Sequence, residues 1–91
     1  MIQIIPAILD KTPEDFGRHI AQLKHSGSFQ EGWVHIDFTD NEFVQNQTIG
    51  IDTVIRNPTS LKKEAHLMVM HPLVWLDKLK EADFKRVIIH L

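Results

Sequence analysis

Ninety-one residues make one domain at most, and a hydrophobic share of 43% excludes wholesale disorder. A formal charge of −2 with no basic block disfavours nucleic acid or an anionic membrane as the main partner, and no apolar run approaches a membrane span. There is no cysteine, so any metal must be held by histidine and carboxylate; with no cationic leader at residue 1, the expectation is a soluble cytoplasmic protein.

Residues 2–9, "IQIIPAIL", form a short β-branched run, and Pro6 within it marks a strand end or an irregular pairing position. A helix should follow. Thr12 can cap it, Pro13 suits the first turn, Glu14 and Asp15 favour the positive end of the dipole, and Gly27 can terminate it. Phe16, Ile20 and Leu23 have the spacing of one helical face. A second strand covers residues 33–39, then a long loop and a short helical piece at 51–57. "KEAHLMVM", residues 63–70, is the third strand. Pro72 opens a short amphipathic helix over 72–82, in which Leu73, Leu76 and Leu79 recur every three residues and Trp75 and Leu79 lie four apart. "FKRVIIHL", residues 84–91, is the fourth strand.

Strand and helix alternate throughout, which is the rhythm of a parallel α/β sheet with right-handed crossovers. An open doubly wound sheet and part of a (β/α)8 barrel both fit that order, and the phase of the polar residues favours the barrel. On strand two, His35, Asp37 and Thr39 share one side and Val34, Ile36 and Phe38 the other. On strand three, Glu64, His66 and Met68 oppose Ala65, Leu67 and Val69. Apolar outward under helices and polar inward late in the strand is the arrangement of a barrel with its active site at the carboxyl end.

If strands two and three are neighbours, His35, Asp37 and His66 converge. Two imidazoles and a carboxylate suit a divalent transition metal such as iron, zinc, manganese or cobalt. The same three residues also suit a hydrogen-bonded polar cluster with no metal, and the residues alone leave both readings open. Met68 is most simply core filler. His19 and His25 belong to solvated positions on or after the first helix, and His71 opens the third helix. His90 is either inward-facing or merely a strand-end residue.

The segments "IIPAIL", "HIDFTDNEFVQNQTIG", "EAHLMV" followed by Pro72, and "VIIH" occur in an order and spacing that resembles the ribulose-phosphate 3-epimerases. The resemblance implies the first half (β1–β4) of a truncated (β/α)8 barrel, one partial domain over residues 1–91. It also implies metal-dependent epimerisation at C3 of D-ribulose 5-phosphate to D-xylulose 5-phosphate. In that family's pattern His35, Asp37 and His66 are metal ligands, Asp37 is one of two proton-transfer carboxylates, and Ala7, His66 and Met68 meet the substrate. Ala7 replaces a serine, Thr39 a lining methionine, and Asn41 a glycine; Asn tolerates the left-handed backbone that glycine adopts there. Asp40 and Asn46 match loop-shaping positions.

A complete barrel takes roughly 250 residues, so this length of chain alone is not expected to turn over as a monomer. Two further readings follow: a non-catalytic half-barrel that assembles with itself or with a separate second half, and a related sugar-phosphate barrel enzyme with a changed substrate.

Overall fold

The computed structural model describes residues 4–26, 32–43 and 45–90. Strands and helices alternate: β1 (Ala7–Ile8), α1 (Pro13–Ser26), β2 (Trp33–Thr39), α2 (Ile51–Ile55), β3 (Lys62–Met68), a 3-10 turn (Pro72–Trp75) running into α3 (Leu76–Glu81), and β4 (Phe84–Ile89). The four strands are parallel and lie side by side in chain order. That order never reverses, so right-handed crossovers carry every helix to the same face. The result is consistent with the first half of a (β/α)8 barrel and not with a doubly wound sheet, whose order reverses at a switch point.

One core lies between the helices and that face. Val34, Ile36 and Phe38 from β2 and Ala65 and Leu67 from β3 meet Phe16 and Ile20 of α1, Ile51 and Val54 of α2, and Leu79 of α3. The Phe38 ring packs 5.6 Å from Trp75 and 5.9 Å from Phe84, centroid to centroid. The strict alternation of β2 follows directly, with apolar side chains buried and Trp33, His35 and Asp37 half-buried on the other side.

Local chemistry sets the element ends. Thr12 Oγ1 accepts the backbone N–H of Asp15 at 3.1 Å, capping α1 as expected; Gly27 lies outside the described residues. Asp83 ends α3 in the left-handed region at φ 65. β1 is shorter than the run 2–9 suggests. Residues 2 and 3 lie outside the described region, and Pro6, having no N–H, contributes only its carbonyl, which accepts His35 N–H at 2.8 Å. β4 ends at Ile89, before the expected 91.

Two expectations need correction. Leu73 and Leu76 are exposed, and the buried stripe of the third helical segment is Trp75, Leu79 and Ala82 instead. A spacing of three eclipses only within the 3-10 turn; once the chain continues as α-helix the core face recurs at four and seven. His19 is not simply solvated: its Nδ1 lies 2.8 Å from Oδ2 of Asp10, a carboxylate too buried to do without a donor.

The β3–β4 pairing contains a register shift. Lys63 faces Phe84, yet Glu64 faces Arg86, so Lys85 is skipped. Beyond that point Arg86 and Ile88 stand opposite Glu64 and His66, on the face away from the helices.

Candidate functional site

β2 and β3 pair with Asp37 opposite His66 and His35 opposite Glu64. Residues in register on neighbouring strands point to the same side. The polar sides of the two strands therefore meet in one cluster, on the face the helices leave uncovered.

Asp37 is its centre. Its Oδ1 accepts from His35 Nε2 at 3.0 Å and from His66 Nδ1 at 2.8 Å, and the two rings are 5.4 Å apart. One ligand atom from each of His35, Asp37 and His66 falls within 4.8 Å of the others, close enough to share one cation. The donor set fits a divalent transition metal by chemistry as well as by spacing: two imidazole nitrogens and one carboxylate oxygen, each half-buried rather than sealed.

Further residues reach the cluster. His35 Nδ1 donates to Glu64 Oε1 at 2.8 Å, and Arg86 donates to Glu64 Oε2 at 2.8 Å. The Arg86 guanidinium carbon stacks 3.7 Å from the centre of the Trp33 ring. On the opposite side, His90 faces inward: its Nε2 is 2.8 Å from Nε2 of His66, with the rings stacked at 5.0 Å. That decides between the two placements the sequence allowed.

The electrostatics are mutually reinforcing. Burial by itself would pull the His35 pKa down, but hydrogen bonds and charges from Glu64 and Asp37 outweigh it, and the pKa is raised. Glu64 is held below the ordinary carboxylate range, first by its hydrogen bond with His35 and then, against the cost of burial, by Arg86.

The rim is shaped by Asp40, just past β2. Its Oδ1 accepts the N–H groups of Glu42 and Phe43 at 2.9 and 3.0 Å, and its Oδ2 accepts Met70 N–H at 2.8 Å. These backbone donors, Met70 first, lower its pKa. The turn between is made by Asn41 at φ 64, the left-handed conformation that makes asparagine a tolerable stand-in for glycine there. Asp40 thus fastens the loop after β2 to the one after β3.

The remaining expected site residues fall around this centre. Ala7 is exposed on β1, in register with His35. Met68 is half-buried at the end of β3, in register with Thr39. Thr39 is buried, and its hydroxyl finds no partner among the described residues. Strand parity already puts Glu64 on the site side, but it gives no role to Glu64, and nothing in the local sequence links Arg86 or Trp33 to the cluster.

Among the described residues no helix is long and apolar enough to cross a membrane. Comparison with known proteins bears on the chain as a whole. The model of the Ribulose-phosphate 3 epimerase family matches residues 3–91. The chain is 32% identical over 92 residues to the ribulose-phosphate 3-epimerase of Rhodobacter capsulatus, covering 99% of this chain and 39% of that protein. It is 30% identical to that of Bacillus subtilis, with 99% and 41% covered. A rice protein named as the cytoplasmic isoform is 29% identical, with 98% and 39% covered. The chain therefore spans about two fifths of the length of these curated relatives. With a family match that runs through all four strands and the sheet order they adopt, the chain belongs to the ribulose-phosphate 3-epimerase family.

Proposed function

We propose that this chain carries the amino-terminal half of the active site of a metal-dependent ribulose-phosphate 3-epimerase, interconverting D-ribulose 5-phosphate and D-xylulose 5-phosphate. The observation that carries this is the single oxygen, Asp37 Oδ1, bracketed by His35 Nε2 and His66 Nδ1. His35, Asp37 and His66 are the residues that would hold iron, zinc, manganese or cobalt. Such a cation supplies positive charge against the negative charge that develops on the substrate's carbonyl side as C3 is deprotonated.

The chain's own residues do the rest of their half. Both imidazole contacts fall on Oδ1 of Asp37, which leaves Oδ2 to take or return the C3 proton. Inversion at C3 needs a second acid–base group on the opposite face, and Asp37 can serve only one face. Met68 and Ala7 line the substrate side, Met68 with an apolar sulfur and Ala7 without the hydroxyl that a serine would offer. Ala7 and Thr39, standing where the family has a lining serine and methionine, make a related sugar phosphate a natural alternative substrate. A cytoplasmic site of action matches the name of the rice relative.

A fusion of residues 1–91 to the carboxyl-terminal remainder of the Bacillus subtilis relative tests this. It should convert ribulose 5-phosphate, lose that activity on chelation, and lose it in Asp37→Asn. Undiminished turnover in Asp37→Asn would refute the role given to this carboxylate.

One observation favours a second reading, an assembling half-barrel. β4 is an edge strand whose Val87, Ile88 and Ile89 are 36%, 43% and 37% exposed, and unpaired apolar edges favour association. The partner would be a second copy or a separate second half. Mass measurement in solution separates the two: a folded dimer without turnover supports assembly.

A further inference from the structure

Glu64 is a buried ionisable group beside the cluster that the proposed chemistry leaves without a task. It is 8% exposed and is not one of the three cation donors. A carboxylate that deep persists only where donors replace the water it has lost. Glu64 has one donor on each oxygen, His35 Nδ1 on Oε1 and Arg86 on Oε2. Arg86 is in turn pinned over the Trp33 ring. The chain of contacts runs Trp33, Arg86, Glu64, His35, crossing from β2 to β4 to β3 and back.

We infer that Glu64 is a positioning residue: with Arg86 fixing its far oxygen, it keeps the proton of neutral His35 on Nδ1 and so presents the Nε2 lone pair, 3.0 Å from Asp37 Oδ1, to a divalent cation. This rests on the metal reading given above. A neutral imidazole has one N–H and one lone pair, and the group facing one nitrogen decides which atom carries which. Both ring nitrogens face a carboxylate, but Glu64 Oε1 is the nearer, 2.8 Å against 3.0 Å, and Asp37 Oδ1 already accepts from His66 Nδ1, so a single ring proton belongs on Nδ1, toward Glu64. Arg86 has donors and no acceptor. It therefore claims Oε2 whatever else changes, and the orientation is one-way.

Glu64→Gln turns that logic into a test. The amide has one oxygen and one NH2. Arg86 can only donate, so the oxygen turns to Arg86 and the NH2 faces His35 Nδ1. Nδ1 must then accept, and the ring proton moves to Nε2, where it blocks the cation. Adding Arg86→Met removes the demand for the oxygen, lets the amide turn back, and restores N–H on Nδ1. General damage would deepen in the double variant; this mechanism predicts rescue.

The tautomer is read from 15N shifts of the His35 ring in the cation-free 91-residue chain, at a pH above the end of the His35 titration as the same shifts record it. Zinc affinity is read by calorimetry near neutral pH. Wild type should show Nδ1–H. Glu64→Gln should show Nε2–H and bind zinc roughly 10- to 100-fold more weakly. The Glu64→Gln/Arg86→Met pair should return to Nδ1–H and recover most of that affinity. Nδ1–H in Glu64→Gln, weaker zinc binding with no tautomer change, or a double variant no better than the single would each overturn the role. Tautomers that switch as stated in a wild-type chain that takes up no zinc would leave Glu64's hold on His35 intact and sink the metal reading alone.

Discussion

Cation uptake by this site should release about one proton per ion at pH below the raised His35 pKa, and not two. The count follows from where the protons stand. His35 Nδ1 faces Glu64 Oε1 at 2.8 Å and Nε2 faces Asp37 Oδ1 at 3.0 Å. With a carboxylate on each side, both ring nitrogens have an acceptor when the ring is protonated; burial opposes that charge, but Glu64 and Asp37 outweigh it and the pKa is raised. A ligand nitrogen must present a lone pair, so Nε2 gives its proton to solvent. His66 has another route. Its Nδ1 faces Asp37 and its Nε2 faces His90 Nε2 at 2.8 Å, so moving the ring proton from Nδ1 to Nε2 on cation binding exposes a lone pair without release to solvent.

Apparent affinity should therefore fall about tenfold for each pH unit below the His35 pKa and level off above it. Zinc titrations in buffers of different ionisation enthalpy measure the count directly, as the slope of observed heat against buffer heat. The slope should decline from about one toward zero as pH rises through the His35 value. A slope near zero on the acid side would mean that His35 Nε2 carries no proton and that the 3.0 Å contact is misread. A slope near two would mean that His66 cannot hand its proton toward His90.

The same groups set a stability window in the cation-free chain. His35 has a folded pKa above its ordinary 6.5, so its pairing is fully stabilising below 6.5 and fades as pH rises through the raised value. Glu64 has a folded pKa below its ordinary 4.5, so its contribution is present above 4.5 and is lost as pH falls through the lowered value. Urea midpoints across pH should peak between those ordinary values and lose the alkaline decline when zinc is added; a flat profile would count against both assignments. Thr39→Val should raise stability by about 1 kcal/mol, because the buried Thr39 hydroxyl has no partner among the described residues; destabilisation in urea unfolding would reveal a bond the structure lacks. Phe38→Ala should cost about 3–5 kcal/mol, since the ring is wholly buried between Trp75 and Phe84, and a loss below about 1 kcal/mol would place the core elsewhere.

What was legible in the sequence is what depends on period alone. A strand repeats every two residues, so His35 and Asp37 had to share a side, as did Glu64 and His66. Thr12, Pro13 and Asn41 each announce a backbone geometry through a local steric or hydrogen-bonding reason, and each adopts it. Contacts between distant segments were less legible. His19 pairs with Asp10 across the turn between β1 and α1, and only the depth of Asp10 in the fold makes that partner necessary.

The support of His35 shows most clearly why parity is not enough. Phe84, Arg86, Ile88 and His90 are all two apart, so an unbroken β4 would put all four on one side. Phe84 is needed on the core side, where it meets Phe38. An unbroken strand would then send Arg86 and His90 beneath the helices and leave Glu64 and His66 without these partners. The register shift opposite Lys63 and Glu64 separates the two demands: Phe84 stays in the core, Lys85 is passed over, and Arg86 swings to the site side to meet Glu64. One irregularity in one strand thus fixes both flanks of the cluster, Arg86 behind His35 and His90 beside His66. Deleting Lys85 would remove the extra residue and set the two demands against each other again. In that variant Arg86 should leave Glu64, His90 should leave His66, and zinc affinity should fall. If the affinity survives, the cluster stands without help from β4.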